Sequence, residues 1–322
     1  MTHNNAFLGD EAFKREALER VARLMRAGQV SPSIKLNWSD AQQTGTYSGA
    51  LAQTLDAEAF PGRTGIPLEL SQAFEVILTL AGQPDKDRKL TLPQGFPELF
   101  LAWLDAVRPG ADLGGVLPRF IAGLLDELLA PQAGPGQRMG VAQREVVQQI
   151  AELWHRSLSG QVVAAKAWRG PRAEALELAD TVEDAWAAAV AEFAASVAWP
   201  PAQCAGEAPG LLMRLFLAWA GFLGLSAMTP EEQAQAAQAA LEPRRMRVAA
   251  QQPGFDMMAW HMDQAKARGE GKSKEEMEQA AARMREIRAL VVPSVALLVK
   301  QQLDRLTELT RSHIPQRAPA TA

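Results

Sequence analysis

Apolar residues recur every three to four positions along most of the chain, the spacing that gathers side chains on one face of a 3.6-residue helix. In "DEAFKREALERVARLMRAG", Phe13, Ala17, Val21, Leu24 and Met25 share a face that Lys14, Arg15, Glu19, Arg20 and Arg26 avoid. Asp10 stands at the N-cap position and Gly28 just past the end. Pro67 opens a second helix, "PLELSQAFEVILTLAG", which runs to Gly82. Further helices are expected from Pro97 to the "RPG" stop, over "PRFIAGLLDELLA" and over "VAQREVVQQIAELWHRSL". A long one follows from Pro171, with Ala175, Ala179, Val182, Trp186, Ala189, Val190, Phe193 and Val197 in one stripe ended by Pro200 and Pro201. Thr229 with Glu232, and Ser273 with Glu276, have the spacing of capping boxes that begin two more. The exception is "SIKLNWS", where Ile34, Leu36 and Trp38 alternate like a short strand without an obvious partner.

The fold expected from this pattern is all-α, a multi-helix globular bundle. Dense Pro and Gly in "PQAGPGQRMG" read as a linker at residues 131–140. It would divide an N-terminal helical subdomain (1–130) from a C-terminal one (141–314), with a disordered polar tail at 315–322.

The pentapeptide "LFLAW" occurs at Leu99–Trp103 and again at Leu215–Trp219. The second copy lies in the apolar run of residues 210–228, "GLLMRLFLAWAGFLGLSAM", which is close to bilayer-spanning length and carries one charge, Arg214. The first copy is flanked by Glu98 and Asp105, as no membrane span would be, and the neighbouring helices are amphipathic. A helix apolar all round is also the mark of a central core helix, and that is the expectation here. Self-similarity beyond the pentapeptide is too slight to establish a duplication.

From Ser273 the chain reads as a single long element of about forty residues before Pro315. Pro293 should kink or break it. Around that proline, "ALVVPSVALLV" is apolar on nearly every side and is expected to be buried by other elements. Met277, Met284, Ile287, Leu306 and Leu309 are the candidate partner-binding residues of this helix, methionines offering an adaptable apolar surface.

Composition narrows the function classes. Apolar residues are 48% of the chain and charged ones 22%, enough for a substantial core. With 33 basic against 37 acidic side chains, a net charge of −4 argues against a broad electrostatic grip on nucleic acid. The single cysteine, Cys204, excludes an intramolecular disulfide and a multi-cysteine zinc site within one chain, and fits a reducing compartment. The first residues lack the basic and apolar stretches of a secretory signal, so a cytoplasmic location is expected, and the Ala-, Leu- and Arg-rich usage has a bacterial look.

Candidate chemistry is sparse. Glu152 and His155, three apart on a helix, have the spacing of one carboxylate–imidazole metal pair; Glu174, Glu177, Asp180 and Asp184 could add further ligands, although a solvated face explains them fully. Trp260–His261 precedes Asp263 at a helix spacing that points the two polar groups apart. Cys204 falls in a loop where a thiol would be exposed, with nothing nearby to activate it. Gly271-Lys272-Ser273 ends like a phosphate loop, but Lys266 stands where that pattern needs glycine and no strand precedes it, so Ser273 reads as a helix cap. Arg244, Arg245 and Arg247 form the densest basic cluster, expected as a solubilising connector.

The function expected from these readings is that of a non-enzymatic cytosolic interaction protein, of adaptor, assembly or immunity-like type, without a cofactor. It would bind a protein partner or itself through the C-terminal helix. Two alternatives stand beside it: a helical metalloenzyme with a metal ion at Glu152 and His155, and a membrane-associated protein using residues 210–228.

Overall fold

Asp10 accepts hydrogen bonds from the amides of Ala12 (2.7 Å) and Phe13 (3.2 Å) and so starts α1 (Glu11–Arg26), whose Ala17, Val21 and Leu24 point into the core. The structure is a computed structural model that describes residues 5–84, 90–130, 134–250, 252–267 and 273–313. It is 74% helical. The alternating segment does find a partner: β1 (Trp38–Ser39) pairs antiparallel with β2 (Thr44–Gly45) in a short hairpin.

Next comes α2 (Tyr47–Ala52), which begins on a carboxylate from elsewhere in the chain. Glu75 lies on α4 (Leu68–Thr79), beyond the short α3 (Ala59–Thr64), and is 1% exposed. It accepts from the amides of Ser33 (3.1 Å), Tyr47 (3.2 Å) and Ser48 (2.7 Å), and from the Ser48 hydroxyl. The third orphan amide of α2, on Gly49, donates to the Thr46 hydroxyl at 3.0 Å.

A second two-residue pair, β3 (Gln83–Pro84) with β4 (Leu90–Thr91), leads to α5 (Phe96–Ala106) and α6 (Val116–Leu129). The first "LFLAW" copy supplies Trp103 of α5. Its ring stacks on Phe74 with centroids 5.1 Å apart, and its indole N–H donates to Thr310 at 3.0 Å.

The described part of the expected linker is packed. Residues Gly134–Arg138 form a 3-10 turn in which Gly134, Pro135 and Gly136 are buried. Gly134 has φ +37°, and a Cβ there would lie 2.1 Å from the Trp219 ring. Glycine is needed for that approach, not for flexibility. Residues 131–133, like residue 314 and the tail at 315–322, lie outside the described residues. One cluster of buried apolar side chains runs from Ala6 to Leu306 and draws on both sides of the turn.

After α7 (Val141–Leu158), the long stripe expected from Pro171 divides into α8 (Ala165–Thr181) and α9 (Ala185–Val197). Asp184 causes the division by accepting from the amides of Trp186 (3.0 Å) and Ala187 (2.9 Å) as an N-cap. Pro171 sits inside α8, not at its start. The basic cluster likewise corrects its expectation: Arg244, Arg245 and Arg247 stand in a helix, α12 (Pro230–Ala249), and not in a connector.

Between α9 and α12 come α10 (Pro201–Cys204) and α11 (Ala208–Gly224); α12 spans Pro230–Ala249 and α13 Met257–Ala267. The core expectation for α11 holds on one side. Leu212, Leu215, Phe216 and Trp219 are buried against α4 and α9, whereas Leu217 is 55% exposed. By length and composition alone the segment Pro201–Ala227 could cross a membrane, and 39% of its most apolar stretch is buried.

The last helix, α14 (Lys274–Ser312), is continuous through Pro293. Its C-terminal half lies on α4, α5, α6 and α11, burying Leu298, Val299, Leu303 and Leu306. Full burial around the proline is not observed. Leu290 and Leu297 are 60% and 57% exposed, and Pro293 between them is exposed too. Before Ile287, every described side chain from Ser273 onward is exposed except Arg283, which is half-buried.

Candidate interaction surface

An apolar groove of about 550 Å³ lies between the end of α4, the open side of α11 and the middle of α14. Met213, Leu217, Ala220, Gly221 and Gly224 form one wall, and Met284, Ile287, Val291, Val292 and Val295 the other. Leu80 and Met228 close parts of the floor, and Arg288 is the charged residue among the lining. Small residues on α11 allow the near approach: a Cβ on Gly224 would lie 3.8 Å from Val291. Leu217 and Met284 on the rim are 55% and 57% exposed.

Ion pairs tie α14 to its neighbours on either side of the groove. At one end the Arg283 guanidinium forks onto Glu232, with Nε–Oε1 at 2.8 Å and Nη2–Oε2 at 3.0 Å, and also donates to the Ala227 carbonyl at 3.0 Å. Glu232 at the same time accepts from the Thr229 amide at 2.8 Å, completing the capping box of α12. The Arg283 hydrogen bonds, then the Thr229 amide, lower the Glu232 carboxyl to about 2. Toward the other end, Gln302 and Arg305 both donate to Glu127 of α6, Arg305 at 3.0 Å.

The residues expected to bind a partner are placed differently from one another. Met284 stands on the rim and Ile287, 4% exposed, at the base. Leu306 is fully buried and Leu309 half-buried in the protein's own core, on a face of α14 that packs toward α5 and α6. Met277 is in α14, but its side chain lies outside the described residues. Leu217, Leu290 and Leu297 were not singled out from sequence. For Leu290 and Leu297 the available signal was an apolar arc in "ALVVPSVALLV" wider than one contact face can cover.

The metal candidates do not converge. His155 Nε2 lies 2.8 Å from Asp126 Oδ1 of α6, and Glu152 accepts from Gln148 at 3.0 Å. Glu174 and Glu177 are exposed on α8; Asp180 lies 3.6 Å from Arg247, and Asp184 caps α9. Among the described residues, no group of three or more His, Cys, Asp or Glu side chains is placed to hold a metal ion.

The remaining candidates are tied into the fold. Arg244 donates to the carbonyls of Asp180 (2.8 Å) and Val182 (2.7 Å), capping the end of α8, and Arg247 pairs with Glu192 at 3.0 Å. Cys204 is buried, not exposed in a loop. Its thiol faces the carbonyls of Val197 and Trp199, and burial pushes it up to about 11. Ser273 caps α14, accepting from the Glu276 amide at 3.2 Å, while Gly271 and Lys272 lie outside the described residues. The side chain of His261 does as well. Comparison of the chain with protein-family models, with curated proteins and with solved structures finds no match.

Proposed function

We propose that the protein is an adaptor-type interaction protein that receives an amphipathic helix of a protein partner in the groove between α11 and α14. One observation carries this reading: Leu217 and Met284 each leave more than half of their surface in water on the lining of a preformed apolar groove. Contiguous exposed apolar surface of this kind marks interaction sites on soluble domains. A groove lined by methionines and small residues suits an apolar helix face, whose anchors recur at the same spacing as the groove's own side chains. The exposed first half of α14 extends the surface available to such a partner.

The test is a photo-crosslinking residue placed at Met284 in the producing cells, with the adducts identified by mass spectrometry. A single dominant protein adduct, lost when Leu217→Glu is added and absent from a crosslinker placed at exposed Val162, supports the reading. Absence of any adduct, or the same adducts at both positions, overturns it. Vesicle flotation with phosphatidylethanolamine and phosphatidylglycerol adds a second arm. Flotation abolished by Leu217→Glu, with no protein adduct, would replace the partner helix by a lipid surface.

A further inference from the structure

A second cavity, of about 480 Å³, opens between the first half of α8 and the turn that leads from α9 into α10. Leu176 and Trp199 give it an apolar side; Trp168, Arg169, Arg172 and Gln203 give it polar groups, and no acidic residue lines it. The Arg172 guanidinium lies over the Trp199 ring, 4.4 Å from its centroid. That stacking holds a cation in place without neutralising it.

The polar groups are short of acceptors. Trp168 is 1% exposed, and its indole N–H is buried with no hydrogen-bond partner; the same is true of Arg172 Nε. Indole and guanidinium groups can only donate. Buried donors without acceptors are unusual in a folded chain, and two of the three among the described residues belong to residues that line this one cavity. Two guanidinium groups at the same wall set the sign of the missing charge.

We infer that this cavity binds a small organic anion: a carboxylate or phosphate monoester carried on a flat apolar body. The anionic oxygens accept from Arg169, Arg172 and the Trp168 indole, and the apolar body lies along Trp199 and Leu176. The site is separate from the α11–α14 groove and does not depend on its reading.

Isothermal titration with 2-naphthoate, 2-naphthyl phosphate and the uncharged 2-naphthamide tests it. At least one of the two anions should bind, with the amide about tenfold weaker or worse. The preference between carboxylate and phosphate then tells which source the site is built for. Arg172→Gln and Trp168→Phe should each weaken the anion about tenfold, and Leu217→Glu should not change it. Should Trp168→Phe fail to fold, Arg169→Gln on the exposed rim reads the same charge. No binding of either anion at millimolar concentration, equal binding of the amide, or unchanged affinity in folded Arg172→Gln would overturn the proposal.

Discussion

Glu75 and Ser48, twenty-seven residues apart in sequence, are joined twice: the Ser48 amide donates to Glu75 Oε1 at 2.7 Å, and the Ser48 hydroxyl donates to the same oxygen. The serine hydroxyl also lies 2.6 Å from that of Ser71, so the first turn of α2 and one face of α4 share one buried polar knot. Its carboxyl is 1% exposed, and burial outweighs the four donors, raising it from its ordinary value of 4.5 to about 7.

That shift gives the stability a pH dependence. The folded state holds the proton on Glu75 more tightly than the unfolded state, so stability from this group is complete below about pH 4.5 and is lost as pH rises toward 7. The loss is roughly 3 kcal/mol. Urea unfolding at pH 5 and pH 8, followed by tryptophan fluorescence, should show it against the background of other groups. Glu75→Gln should flatten the slope in this window, and a slope unchanged by that substitution would refute the assignment.

Local signals were legible in the sequence and relational ones were not. Asp10, Thr229 and Ser273 announce helix starts because a cap acts on amides two or three residues away. Glu75 carries no comparable sign, since its donors at Ser33, Tyr47 and Ser48 reach it only after the hairpin has folded back. Asp184 shows an intermediate case: aspartate is a common capping residue, but the apolar stripe continues in phase across it and hides the break. The groove is relational throughout. An apolar residue on α11 or α14 looks the same in sequence whether it faces the core, as Leu215 does, or water, as Leu217 does.

Trp103 and Thr310 join α5 to the end of α14 through a fully buried hydrogen bond of 3.0 Å. Thr310→Val keeps the shape and removes the acceptor, leaving the indole N–H unpaired. A loss of about 1–3 kcal/mol in chemical denaturation is expected. In a Trp103→Phe background the same substitution should cost clearly less; additive losses would show that the bond contributes nothing of its own.

Two glycines should respond oppositely to alanine. At Gly134 a Cβ meets the Trp219 ring at 2.1 Å and φ is +37°, so Gly134→Ala should destabilise by roughly 2 kcal/mol or more. At Gly210, inside α11, nothing lies within 4 Å of the added atom. There Gly210→Ala should stabilise by about 0.5–1 kcal/mol through helix propensity. Equal effects at both positions would mean that the turn at 134–138 is not packed as described.

His155 and Asp126 are each about half exposed, 52% and 51%, so their contact at 2.8 Å is worth little in water. His155→Ala should lower stability by less than about 1 kcal/mol. Treatment of the purified protein with a chelator should leave its melting temperature unchanged. A drop on chelation that His155→Ala abolishes would instead restore the metal reading of Glu152 and His155.

Removing the chain from Ser273 onward looks like the direct test of an interaction helix, yet the outcome expected here is loss of folding. The C-terminal half of α14 buries Leu298, Val299, Leu303 and Leu306, each at 6% exposure or less, and supplies the acceptor for Trp103. Burying each aliphatic side chain is worth about 1.5–3 kcal/mol, so four of them approach the whole stability of an ordinary domain, about 5–15 kcal/mol. The truncated chain should therefore lose its cooperative thermal transition and bind apolar dye. Leu290→Glu and Leu297→Glu, whose side chains leave more than half of their surface in water, should unfold at the same temperature as the parent within a few degrees. A truncated protein that still melts cooperatively would show that the half of α14 seated on α4, α5 and α6 is dispensable, and with it the claim that only the exposed arc of this helix is free to meet a partner.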